Sequence, residues 1–119
     1  MGDPILVVDD DDSVRAWLRV ALEPRDWTVH EASSGPDAVK KVAKVEPAVV
    51  VLDHMMPETT GLETAEILRD QGYKGTVVLF SAYLGAGMAA EIRRLNLTPV
   101  NKVDHDALFR VIEVGRHRS

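Results

Sequence analysis

Apolar residues in this chain come in short runs, separated by longer stretches in which they recur every three or four positions. The first run is Ile5 to Val8, and it ends in acids. From Ser13 onward, Val14, Trp17, Leu18, Ala21 and Leu22 follow the i, i+3, i+4, i+7, i+8 spacing of a helix packed on one side, and Pro24 helps to end it. Trp27 to Glu31 alternates as a strand, and Ser34-Gly35-Pro36 opens a second helix with Ala38, Val39, Val42 and Ala43 on one face. Ala48 to Leu52 is continuously apolar, the pattern of a strand buried on both faces. Pro57 to Thr60 reads as loop, with Thr60 the N-cap of a third helix through Asp70. Gly72 and Gly75 bracket the return to another apolar run, Thr76 to Phe80. A fourth helix is expected near Ala86 to Leu95, its start weakened by Gly85 and Gly87. Thr98 to Asn101 makes a short strand, and Asp104 or Asp106 starts a last helix carrying Leu108, Val111 and Ile112.

Five strands alternating with five helices predict an α/β fold: a parallel sheet with helices on both faces and right-handed crossovers. Proline is tolerated in a sheet mainly at an edge, so Pro99 predicts that the fifth strand lies there. The 119 residues suit a single domain, 1–119, with no internal repeat. The absence of cysteine excludes disulfides, thiolate metal sites and cysteine nucleophiles. No apolar stretch has the length of a membrane span, and no basic-then-apolar leader is present, so a soluble, cytoplasmic protein is expected. The net charge of −5 argues against a nucleic-acid-binding surface.

That acidity is uneven, with Asp9 to Asp12 forming a run of four carboxylates. Asp9 and Asp10 follow the first strand, Asp53 ends the third, Ser81 the fourth and Lys102 the fifth. In a parallel sheet these ends share one rim, and ligands of open α/β sheets bind at that rim. Asp11 and Asp12 read instead as capping and dipole compensation for the first helix. His54 reads as a helix contact or an exposed side chain, and Met55-Met56 as packing. Arg93, Arg94, Arg110, Arg116 and Arg118 read as solvated helix surface, with a basic docking patch as the other reading.

At these positions the chain resembles the receiver domains of two-component response regulators. The resemblance is carried by Val7-Val8-Asp9-Asp10, by Leu52-Asp53-His54-Met55-Met56-Pro57 with Gly61-Leu62, by Ser81-Ala82 and by Lys102, and it runs from about Ile5 to Val114. It implies a flavodoxin-like, doubly wound three-layer sandwich with strand order 2-1-3-4-5. It implies a signalling switch in which Asp53 accepts a phosphoryl group from the phosphohistidine of a histidine kinase or phosphotransfer protein. Three aspartates repel one another, and a divalent cation removes that repulsion. The cofactor implied is Mg2+, an ion that takes oxygen ligands. Asp10 and Asp53 would bind it directly, Asp9 directly or through water, and Met55 through its backbone carbonyl. Lys102 would pair with Asp53 and then with a phosphoryl oxygen, Ser81 would donate its hydroxyl, and the backbone N–H groups of Ala82 and His54 would assist. A downstream effector protein or domain would read the face made by the fourth helix, fifth strand and fifth helix. Such a protein catalyses its own phosphotransfer and slow hydrolysis but is not a metabolic enzyme.

Three positions depart from the family pattern. Val103 follows Lys102 where the family has a cis-proline. A cis bond before valine costs about 2.5–4 kcal/mol, which predicts a trans peptide or a rebuilt loop. Pro99 replaces the switch aromatic, with Tyr83 a candidate substitute, and Asn96-Leu97 replaces Gly-Ala. These losses motivate the alternative of a degenerate pseudo-receiver acting as a constitutive interaction module. An aspartate-based phosphohydrolase would need an acid where Met55 stands. A flavin-binding module would need a phosphate loop where four aspartates repel phosphate.

Overall fold

The computed structural model describes residues 2–118, and the side chain of Arg118 lies outside that description. Strands and helices alternate: β1 (Asp3–Val8), α1 (Asp12–Leu22), β2 (Trp27–Ala32), α2 (Gly35–Val45), β3 (Val49–Leu52), α3 (Gly61–Asp70), β4 (Thr76–Ser81), α4 (Ala89–Arg94), β5 (Leu97–Asn101) and α5 (His105–Arg118). All strand pairs are parallel, in the order β2-β1-β3-β4-β5. The expected order therefore holds, and Pro99 sits on an edge strand, where its missing N–H is harmless.

The continuous apolar runs are explained by two core layers. Ile5, Val7, Val49, Val51, Val78 and Phe80 face one side, against Leu18 and Leu22 of α1 and Leu108 and Ile112 of α5. Leu6, Val8, Val50, Leu52 and Val77 face the other, against Ala38 and Val42 of α2 and Ala65 and Leu68 of α3. Successive strand residues point to opposite faces, so a strand covered on both sides must be apolar at every position.

The helix ends follow local chemistry. Ser34 accepts the N–H of Asp37 at 3.2 Å, and Thr60 with Glu63 forms a complete capping box. Asp104, not Asp106, caps α5, accepting the Ala107 N–H at 3.2 Å. Ala43 is exposed, because the packed stripe of α2 runs through Gly35, Ala38 and Val42. The fourth helix is shorter than expected: a 3₁₀ turn at Ala86–Met88 precedes it, and neither piece has a buried residue. Asn96, in the turn before β5, has φ 54°, a left-handed conformation that asparagine tolerates well. It stands where the resemblance to receiver domains implies a glycine.

Gly61 opens α3 because its backbone runs against the end of β3. A Cβ there would lie 2.4 Å from the Asp53 carbonyl oxygen and 2.7 Å from the His54 Cα, both backbone atoms that cannot swing aside. Gly61→Ala is therefore expected to lower unfolding free energy by about 1–3 kcal/mol, measured by urea denaturation. An unchanged midpoint would show that the loop yields.

Candidate functional site

The backbone ladder carries the polar residues just past the strands to one rim. The Asp9 N–H donates to the Ala32 carbonyl at 3.1 Å, the Asp53 N–H to Val8 at 3.0 Å and the Lys102 N–H to Ser81 at 3.2 Å. Each residue is thus held by the neighbouring strand at the place where its side chain leaves the sheet. The loop after β3 folds back on itself, with the His54 carbonyl accepting N–H groups from both Met56, at 3.1 Å, and Gly61, at 2.9 Å.

Carboxylate oxygens of Asp9, Asp10 and Asp53 lie within 4.8 Å of one another. Asp9 and Asp53 are buried and Asp10 is exposed. Lys102 reaches into this group from β5. Its Nζ is 2.7 Å from Asp9 Oδ2 and 3.5 Å from Asp53 Oδ2, so the tighter pairing is with Asp9. One ammonium against three carboxylates leaves net negative charge. Two carboxylates 4.8 Å apart repel by about 3–4 kcal/mol at an effective dielectric of 20. Burial first, and the Asp9 carboxylate second, push the Asp53 carboxyl above the usual aspartate range. Lys102 and the Met55 N–H pull it partly back. For Lys102, burial alone would lower the ammonium pKa, but Asp9 and Asp53 together outweigh it and raise the value.

Ser81 is fully buried at the end of β4, and its Oγ accepts the Tyr83 N–H at 3.2 Å. That bond does not use the hydroxyl proton. Ala82 is exposed on the same rim. His54 is half-buried, and its Nδ1 accepts the Leu62 N–H at 3.4 Å, which makes it a helix contact. Met55 is 61% exposed and Met56 is buried. Asp11 caps α1 by accepting the Ser13 N–H at 2.9 Å, the structural role expected of it.

The loop after β5 is rebuilt without a cis bond. Among the described residues no peptide is cis. The Asn101 side chain accepts the Val103 N–H at 3.0 Å, and its carbonyl accepts the Asp104 N–H at 2.9 Å. This Asx-type turn does the work of the missing proline and lets Lys102 reach both acids. Pro99 and Tyr83 are exposed, and an open groove of about 510 Å³ runs past Leu84, Ala89, Ile92, Leu97 and Pro99. Sequence reasoning missed Asn101, although its place after a strand and before a helix cap is a turn signal. It also missed Arg15, which donates to the Asp9 carbonyl, and Glu31, which accepts from Arg15.

A family model for the response regulator receiver domain matches residues 5–99. The chain belongs to that family.

Relatives of this receiver include the transcriptional regulatory protein SrrA of Staphylococcus aureus, 35% identical over 79 residues, which are 66% of this chain and 33% of that protein. The chain thus spans about a third of the length of the curated relatives it matches. Among solved structures, the response regulator protein TrrA of Thermotoga maritima, in complex with Mg2+-BeF, is 26% identical at TM-score 0.83, covering 95% of this chain and 98% of that one. Chemotaxis protein CheY4 of Vibrio cholerae is 25% identical at TM-score 0.83, covering 93% and 99%.

Because the folded receiver holds the Asp53 carboxyl above its ordinary range, it binds that proton more tightly than the unfolded chain does. Stability then falls as pH rises through that range. Asp53→Asn removes the ionisation. Without divalent cations it is expected to stabilise the fold by on the order of 1 kcal/mol at neutral pH, with the gain shrinking as pH falls into the aspartate range. Urea titrations at several pH values read this, and a destabilised variant at neutral pH would contradict it.

Proposed function

We propose that this receiver is a phosphorylation-controlled switch that accepts a phosphoryl group on Asp53, with Mg2+ held by Asp9, Asp10 and Asp53. The observation that carries the reading is a buried Asp53 carboxylate within reach of two further aspartates and of the Lys102 ammonium. Three carboxylates converging from two strand ends are an oxygen donor set of the kind Mg2+ takes, and the backbone carbonyl of Met55 would add a fourth oxygen. The ion supplies positive charge to the carboxylates and to the incoming phosphoryl oxygens. The Mg2+-BeF complex of the Thermotoga relative supports a divalent cation together with an anion in this fold.

In the transfer, an Asp53 carboxylate oxygen forms the new P–O bond while the P–N bond of a phosphohistidine donor breaks. The bonding pair of that P–N bond returns to the imidazole nitrogen. Lys102 Nζ, now shared between Asp9 and Asp53, turns to a phosphoryl oxygen as a point charge. The Ser81 hydroxyl donates to a second oxygen, and the Ala82 and His54 N–H groups assist. The donor is a histidine kinase or phosphotransfer protein, and the setting is cytoplasmic. The receiver acts as a switch and not as a metabolic enzyme. A downstream effector reads the α4–β5–α5 face, whose affinity differs between the two states.

The test is incubation with Mg2+ and acetyl phosphate, read by intact mass. The wild type is expected to gain one phosphoryl group, and Asp53→Asn none. Lys102→Met should slow the gain by about a hundredfold or more, the scale of losing one charge-stabilising donor. A wild type that gains no mass would overturn the reading.

A further inference from the structure

The Asp9 carbonyl is bound by a side chain from the next helix. Arg15 Nη1 donates to that oxygen at 2.6 Å, and its Nε donates to Glu31 Oε1 at 3.0 Å. A third contact of the same guanidinium is the Asp12 carboxylate. The Arg15 side chain is only 13% exposed, unusual for an arginine outside a core. Glu31 is itself fixed. Its second oxygen accepts Arg19 Nε at 2.8 Å, and its backbone carbonyl accepts Lys41 Nζ at 2.5 Å. Asp9 is therefore tethered at every polar atom: N–H to Ala32, carbonyl to Arg15, Oδ1 to the Asp11 N–H at 2.9 Å and Oδ2 to Lys102.

The carbonyl tether matters for two carboxylates at once. The Asp9 carbonyl lies in the rigid peptide plane that joins Asp9 to Asp10. Fixing its oxygen fixes the tilt of that plane, and with it the direction in which the Asp10 side chain leaves the backbone. Asp10 is exposed, so packing does little to aim it.

We propose that Arg15 is a positioning residue for cation binding: clamped by Glu31, it sets the Asp9–Asp10 peptide so that both carboxylates converge with Asp53. The proposal rests on the reading of this site as a Mg2+ site. A purely electrostatic role would have the opposite sign. Arg15 is a cation beside a cation site, so its charge disfavours Mg2+, and removing it would tighten binding. Positioning predicts weaker binding instead. Lysine would keep the charge, but its single ammonium cannot bridge the Asp9 carbonyl and Glu31 as a planar fork does.

The experiment is calorimetric titration of the full chain with MgCl2, comparing wild type with Arg15→Met, Arg15→Lys, Glu31→Gln and Arg19→Met. Arg15→Met and Arg15→Lys are expected to raise the Kd by about tenfold or more, the scale seen when outer-shell partners of metal ligands are removed. Glu31→Gln, which loosens the clamp but keeps Arg15, should raise it several-fold and serves if the Arg15 variants fail to fold. Arg19 touches Glu31 but not Asp9, so Arg19→Met leaves the Arg15 bonds to Glu31 and the Asp9 carbonyl in place and should raise the Kd clearly less than the Arg15 variants do, by about twofold at most. A Kd for Arg15→Met equal to or tighter than wild type overturns the proposal, as does an equal loss in Arg19→Met. A wild type that takes up no Mg2+ instead removes the reading of the site itself.

Discussion

Mutual repulsion among carboxylates is the constraint around which this rim is built. Asp9, Asp10 and Asp53 would separate if free, and the fold holds their oxygens within 4.8 Å of one another. The force that holds them comes from the sheet. β1 and β3 are buried on both faces, and each registers with its neighbours through the last pair before the acids, Val8 with Ala32 and Val8 with Leu52. Lys102 offsets part of the repulsion and brings β5 into the same arrangement. A rim that holds like charges this close is one whose charge state can alter the balance of the whole domain.

Much of this was legible in sequence because parallel sheets convert chain position into spatial position. A residue that ends a strand lands on the rim, so Asp9, Asp10, Asp53, Ser81 and Lys102 could be placed together before any coordinates. Arg15 and Glu31 were not legible for the converse reason. Arg15 occupies an ordinary polar position near the start of a helix, and Glu31 an ordinary alternating position in a strand. Their meeting depends on β2 lying beside β1, a pairing that spans 16 residues. The packed face of α2 was overextended by Ala43, because alanine carries too weak an apolar signal to mark the edge of a stripe.

The departures from the family pattern resolve into local chemistry. Asn96 adopts a positive φ that asparagine shares with glycine, so the turn into β5 survives the substitution. Asn101 holds the following turn with its own side chain, so a trans bond before Val103 does not pull Lys102 away from the acids. The geometry of the rim is thus kept by different residues, while the edge near Pro99 is not rebuilt around a buried aromatic.

The segment between β4 and β5 has a consequence for how the molecule fluctuates. Ala86 to Arg94 contributes no buried residue, and Ile92 only leans on the core. Little free energy separates its seated form from an open one, whereas the strands on either side cannot part without unfolding the domain. This stretch, a few residues past Ser81, is therefore loosely held compared with the strands that flank it. Thermal motion would already carry it through alternative shapes before any chemistry takes place at the acids, and a bound group would have only to favour one of them.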